Sequence, residues 1–150
     1  MYMNRLRPWL AILALIPATI ALPVAAGTND LTLSDAYVQV TIPSRPAAGY
    51  FTLKNNGDKD RVIVGASSPA CGSTMLHRSE SAGGVETMRE VKSVTVPAHG
   101  SVKFAPGGLH IMCMSPSEAL EPGAITRVTL SFEDGDSLTS DFMVRSATGN

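Results

Sequence analysis

After residue 26, no segment of this chain sustains the 3.6-residue apolar period of an amphipathic helix, which argues against a helical bundle and a helix-covered parallel sheet. Positive charge is also scarce. With Arg5 and Arg7 of the leader set aside, 12 − 2 = 10 basic residues face 13 acidic ones, a balance of about −3 with neutral histidines. That leaves no basic stripe to hold nucleic acid. A second long apolar run is missing, so the part after the leader is not expected to span a membrane. Neither a G-x-S-x-G elbow nor an H-E-x-x-H helix occurs. Ser79 and Glu80 lie near His77, but serine is ordinary in β loops, and no enzyme is expected. No repeat or low-complexity segment is visible.

The leader has its own pattern. Arg5 and Arg7 form a short positive region, and Trp9 to Leu22 is an apolar run interrupted by Pro17. Pro23-Val24-Ala25-Ala26 supplies small residues at the cleavage positions. This is the layout of a secretory signal peptide, with cleavage expected after Ala26. The competing reading, a membrane anchor, has a run short of the roughly 20 apolar residues that a span needs. The expected organisation is a signal peptide over 1–26 and one exported domain over 27–150.

Within that domain the apolar period is two. Ala36, Val38, Val40 and Ile42 share one face of a predicted strand over Asp35–Ile42, and Pro43 ends it. Tyr50–Lys54 follows, with Phe51 and Leu53 inward, then the turn Asn55-Asn56-Gly57-Asp58. Arg61–Ala66, Ser73–Arg78, Val85–Val91, Val102–Phe104 and Leu109–Met114 read as further strands, and Ser93–Val96 as a short segment ended by Pro97. Ser79–Gly84 reads as a turn. Ile125–Phe132, with Val128, Leu130 and Phe132 on one face, pairs through Glu133-Asp134-Gly135-Asp136 with Leu138–Val144. Many short strands with Gly, Pro and Asn turns predict an all-β antiparallel sandwich or barrel.

Soft donors are concentrated between Met75 and Met114, which hold all three histidines and four of the five methionines beyond the leader. His77 is followed by ten residues and Met88, then by 21 residues and His110-Ile111-Met112, giving H-x10-M-x21-H-x-M. A methionine is more often a core filler than a ligand, and a lone histidine is more often a hydrogen-bonded side chain. Strand alternation argues otherwise here: His110 and Met112 share a face, as do Met75 and His77. Two imidazoles with two neutral thioethers suit copper, above all Cu(I). Met75 and Met114 lie on the same faces and read equally as extra thioethers or as packing. His99 reads as a solvated turn histidine, and Met143 as ordinary packing.

This motif, with its flank Gly107-Gly108-Leu109, resembles the periplasmic copper chaperones of the PCu(A)C type. The segments Ala48–Gly57 and Ser131–Gly135 resemble that family's second strand and last hairpin, and the likeness runs from about Asp35 to Arg145. The resemblance implies a cupredoxin-like β-sandwich, a periplasmic location, and one copper on His77, Met88, His110 and Met112. It further implies delivery of that copper to the copper centres of a respiratory cytochrome oxidase, through an oxidase subunit or another copper-carrying assembly protein. Cys113 is a departure, since many relatives carry an aliphatic residue there.

Three readings of the cysteines stand: a Cys71–Cys113 disulfide, two buried thiols, or Cys113 as an additional ligand. The exported compartment favours the disulfide, and alternation turns Cys113 away from His110 and Met112. Two rival functions fit the pattern less well. A cupredoxin-like electron carrier needs a thiolate, two histidines and an axial methionine. No histidine follows Cys113, so the usual Cys…His…Met order is absent. A metal-free interaction sandwich leaves the two His/Met pairs without a purpose.

Overall fold

The computed structural model describes residues 27–148, so the leader and its cleavage point lie outside the described residues. A 3-10 turn at Thr28–Asp30 leads into ten strands. They are β1 (Leu31–Val40), β2 (Ala47–Asn55), β3 (Arg61–Ser67), β4 (Cys71–Ala82) and β5 (Val85–Glu90). The remainder are β6 (Val94–Val96), β7 (Ser101–Phe104), β8 (Leu109–Pro116), β9 (Ile125–Phe132) and β10 (Ser137–Ser146). Hydrogen bonding orders them β5-β4-β8-β2-β1-β10-β9-β3-β6, with β7 also on β2. The path folds over on itself as an all-β, cupredoxin-like sandwich. Phe51 of β2 stacks on Phe104 and meets Phe142 of β10 edge-on at 5.9 Å in its centre.

Every pairing is antiparallel except β1 with β10, which run parallel. Alternation within a strand carries no information on a partner's direction, so the expected purely antiparallel arrangement needs this one amendment.

β1 starts earlier than its alternation predicts and contains a bulge. The register with β2 shifts between Ser34 and Tyr37, and Asp35 takes a positive φ of 54°. The extra residue switches inward parity from Leu31 and Leu33 to Ala36, Val38 and Val40. Ile42 was expected to continue that inward face. It instead opens the turn in which Arg45 N–H bonds its carbonyl, and it is 54% exposed. Met143, which alternates away from the inward Phe142, is half exposed on the outer face of β10.

One ion cluster, unmarked by any sequence pattern, closes the end of the sandwich near the 3-10 turn. The Arg61 guanidinium is 4% exposed and pairs with Asp30, Asp134 and Asp136 at 3.1, 3.2 and 2.9 Å. It also lies over the Phe132 ring. This ties the first residues of the domain to β3 and to the β9–β10 hairpin.

Candidate metal centre

β4, β5 and β8 form one edge of the sheet, and they carry all four predicted donors. β4 and β5 join through Gly83-Gly84, both at positive φ (60° and 81°), with Ala82 paired directly to Val85. A two-residue loop of this kind requires positive φ at both positions, which glycine supplies without steric cost. Pairing therefore continues to the loop, and the segment from Ser79, expected as a turn, is strand up to Ala82. On the other side of β4, the turn before β8 uses Gly107 at φ 80°.

The register fixes which donors meet. On β4 and β8, His77 opposes His110, Met75 opposes Met112, and Ser73 opposes Met114. The imidazole centres are 5.7 Å apart with the rings nearly perpendicular. All of these residues share the outer face, because Leu76, Ile111 and Cys113 between them point into the core. Met88 is not His77's direct partner: Glu90 holds that position, and Met88 pairs with Ser79. Met88 thus stands on the same face, one diagonal step from His77, and is 61% exposed.

Each histidine has one buried ring nitrogen without a hydrogen bond. His110 is 3% exposed. Its Nδ1 donates to the Gly108 carbonyl at 3.1 Å, which leaves the lone pair on Nε2. That Nε2 is buried with no hydrogen-bond partner, and so is Nδ1 of His77. Burial pushes the His110 pKa below the usual histidine range; the Gly108 bond opposes this, and the nearby His77 adds to it. The ring is therefore held neutral, the form a metal needs.

Two neighbours escaped the sequence reading. Gly108 O accepts both the His110 ring N–H and the Ser79 backbone N–H, fixing the histidine to its own strand pair. Tyr50 stands beside His110 at 6.3 Å between ring centres and 5.2 Å from Tyr37. Alternation places Tyr50 opposite in face to Phe51, which is the only clue the sequence offers. Burial, and then Tyr37, raise the Tyr50 pKa, so the phenol stays protonated. His99 falls between Met88 and His110 in sequence but sits outside β4, β5 and β8, in the turn between β6 and β7, paired with Asp58 at 2.7 Å.

Cys71 and Cys113 are joined in a disulfide with Cα atoms 5.4 Å apart, and no free cysteine exists among the described residues. The bridge crosses from β4 to β8 and turns Cys113 into the core. With its sulfur bonded, Cys113 offers no thiolate for a blue-copper centre. No group of three or more His, Cys, Asp or Glu side chains is placed to hold a metal among the described residues. Along β4 and β8 the side chains next to the two imidazoles on this face are the thioethers Met75 and Met112, and Glu90 faces His77 from β5.

The fold and this arrangement define the class, a PCuAC-type β-sandwich domain. The copper-bound PCuAC domain from PmoF2 superposes with a TM-score of 0.65 at 20% identity, covering 78% of this chain and 93% of that one. The CuI form of DR1885 from Deinococcus radiodurans, solved in solution, gives 0.62 at 30% identity, covering 89% of this chain and 85% of that one. Residues 31–144 match the model of the putative lipoprotein LpqE-like family, and the chain belongs to that family. The putative lipoprotein Lxx21020 of Leifsonia xyli subsp. xyli (strain CTCB07) is 37% identical over 130 residues, spanning 83% of this chain and 78% of that protein.

Proposed function

We propose that this protein is an exported copper chaperone carrying one Cu(I) on His77, Met88, His110 and Met112. The observation that carries the reading is the pair of buried, partnerless nitrogens, His77 Nδ1 and His110 Nε2, on one sheet face beside Met112. Unpaired buried polar atoms are costly, and an ion between the two rings would satisfy both. Neutral thioethers beside them favour a soft monovalent ion. Two similar solved domains support the choice of metal, since one is described as copper-bound and the other as a CuI form.

The residues divide the work. His110 is held by Gly108 in the tautomer that presents Nε2, so its donor is oriented before the ion arrives. His77 approaches from the facing strand, and Met112 lies one pair further along. Met88 closes the set from the exposed edge strand. An incoming partner reaches Met88 first, so release begins there and proceeds by ligand exchange, with the buried His110 last. The recipient is a copper centre of a respiratory cytochrome oxidase or another copper-carrying assembly protein. Carriage involves no catalytic step.

The location fits this role. The leader over 1–26 directs export to the periplasm, and 27–150 is the carrier domain. No helix among the described residues is long and apolar enough to cross a membrane. Residues 1–70 contain no cysteine, so that stretch offers no thiol for attaching lipid.

The test is an anaerobic Cu(I) titration of the purified protein against a competing chelator, alongside a variant with alanine at His77, Met88, His110 and Met112. One tight equivalent that disappears in the variant is expected. Absence of tight binding in the wild-type protein would refute the copper reading.

A further inference from the structure

We infer that Met75, Met112 and Met114 form a second Cu(I) position built only of thioethers, adjoining the histidine pair and sharing Met112 with it. This rests on the copper reading above. Met75 is the direct cross-strand partner of Met112, and Met114 follows Met112 by two residues on β8. All three side chains therefore stand on the outer face, beside one another and next to His77 and His110.

Packing does not account for them. Core positions on these strands belong to Leu76, Ile111 and Cys113. Met75, Met112 and Met114 are each only partly buried. Their other neighbours on this face are small: Ser73 opposes Met114, and Ala48 of β2 flanks Met112. A row of three long thioethers among small residues leaves the sulfurs free to turn toward one another.

The spacing suits one ion. Directly opposed Cβ atoms of an antiparallel pair lie about 4.5–5.5 Å apart, and residues i and i+2 about 6.6 Å apart along the strand. Methionine has three rotatable bonds, enough for three sulfurs to converge over that triangle. The Cys71–Cys113 bridge lies on the opposite face of the same strand pair and holds its register. Thioethers do not take up protons at physiological pH, so such a position holds Cu(I) by softness alone.

Sharing Met112 gives the pair of positions a use. Before any hand-over to a partner, an ion moving within the protein from His77 and His110 exchanges nitrogen for sulfur donors while Met112 stays bound, so this internal step never frees it. The step is ligand exchange: each bond to nitrogen that breaks is replaced by one to sulfur, and no electron or proton moves. The second position lies one to two residue pairs along β4 and β8 from the histidines, away from Met88 and the Gly83-Gly84 loop.

The experiment uses the full mature protein and Cu(I) alone, under anaerobic conditions. Wild-type protein is expected to take a second, weaker equivalent whose X-ray absorption shows sulfur neighbours and no nitrogen. M75L/M114L is expected to keep the first equivalent and lose the second. H77A/H110A is expected to bind one Cu(I) through sulfur only, and adding M75L/M114L should weaken that binding at least about tenfold. The inference is overturned if M75L/M114L leaves the second equivalent unchanged, or if wild-type protein takes one equivalent and no more. No binding at all by wild-type protein would instead remove the copper reading itself.

Discussion

His77 and His110 are direct partners across β4 and β8, with ring centres 5.7 Å apart and one buried nitrogen on each ring left without a hydrogen bond. A buried unpaired polar atom costs about 1–3 kcal/mol. The protein therefore bears a burden that an ion between the two rings would relieve. Replacing His110 by leucine removes one such atom, and Gly108 O keeps its bond from Ser79 N–H. His110→Leu is expected to leave metal-free stability within about 1 kcal/mol of wild type or to raise it. Its Cu(I) affinity should fall by more than the roughly 10–100-fold typical of losing a supporting residue. Urea unfolding without metal and chelator competition with Cu(I) read the two effects; a large loss of metal-free stability would contradict the first.

Acid should weaken the metal-free fold through the same residue. Burial holds the folded His110 pKa below the usual value, while the unfolded chain titrates near 6.5. Between those values the unfolded state binds a proton that the folded state does not. This contribution is thus fully present above about pH 6.5 and is lost as pH falls from there through the lowered folded value. Unfolding midpoints at a series of pH values from 7.5 downward should show the decline, with a shallower slope in His110→Leu. Equal slopes would assign the decline to other groups.

Arg61 is buried beneath three carboxylates. Removing one partner of a buried ionic cluster costs about 3–5 kcal/mol. Arg61→Ala is expected to lose an amount of that order in chemical denaturation. None of Arg61, Asp30, Asp134 and Asp136 belongs to β4, β5 or β8, so Cu(I) stoichiometry at a temperature where the variant stays folded should be unchanged.

The Cys71–Cys113 bridge closes a separation of 42 residues. Chain-entropy arguments assign such a loop roughly 4 kcal/mol of stability. Full reduction, or serine at both positions, should lower the unfolding free energy by about 2–5 kcal/mol. A loss under about 1 kcal/mol would mean that the strand pair holds its register without the bridge.

Met88 should behave differently from every buried donor. At 61% exposure it contributes little packing, so Met88→Ala is expected to change stability by no more than about 0.5 kcal/mol. Its effect should appear in exchange: Cu(I) transfer to an acceptor chelator, followed by stopped flow, should alter in rate. Unchanged transfer in Met88→Ala, with transfer abolished in His110→Ala, would contradict release beginning at Met88.

Local features of the structure were legible in the sequence because they depend on neighbouring residues. Alternation placed Val128, Leu130 and Phe132 inward, and Gly83-Gly84 marked the reversal between β4 and β5. It also put His110 and Met112 on one face. What alternation could not convey was partner and register. It gave no sign that Glu90, rather than Met88, opposes His77, nor that β1 and β10 run parallel. The Asp35 bulge was hidden because an inserted residue reverses parity without altering composition. Arg61 looked like any surface arginine until Asp30 and Asp136, 31 positions before it and 75 after it, were brought alongside. The Gly108 carbonyl was invisible for a similar reason, since backbone acceptors leave no mark on side-chain chemistry.

The bridge between Cys71 and Cys113 has a consequence for the unfolded chain. His77, Met88, His110 and Met112 all fall between the two cysteines, so the oxidised polypeptide keeps them in one covalent ring even when the sheet is lost. Ring closure limits how far these donors can disperse and reduces the entropy needed to regroup them. The denatured oxidised chain thereby retains some hold on the ion, and any affinity of that state reduces how much the metal stabilises the fold. Serine at both Cys71 and Cys113 opens the ring without adding thiols, so Cu(I) should protect that variant against unfolding more than the oxidised protein. The oxidised form gives up part of that protection and in return is less prone to spill its ion during a transient opening.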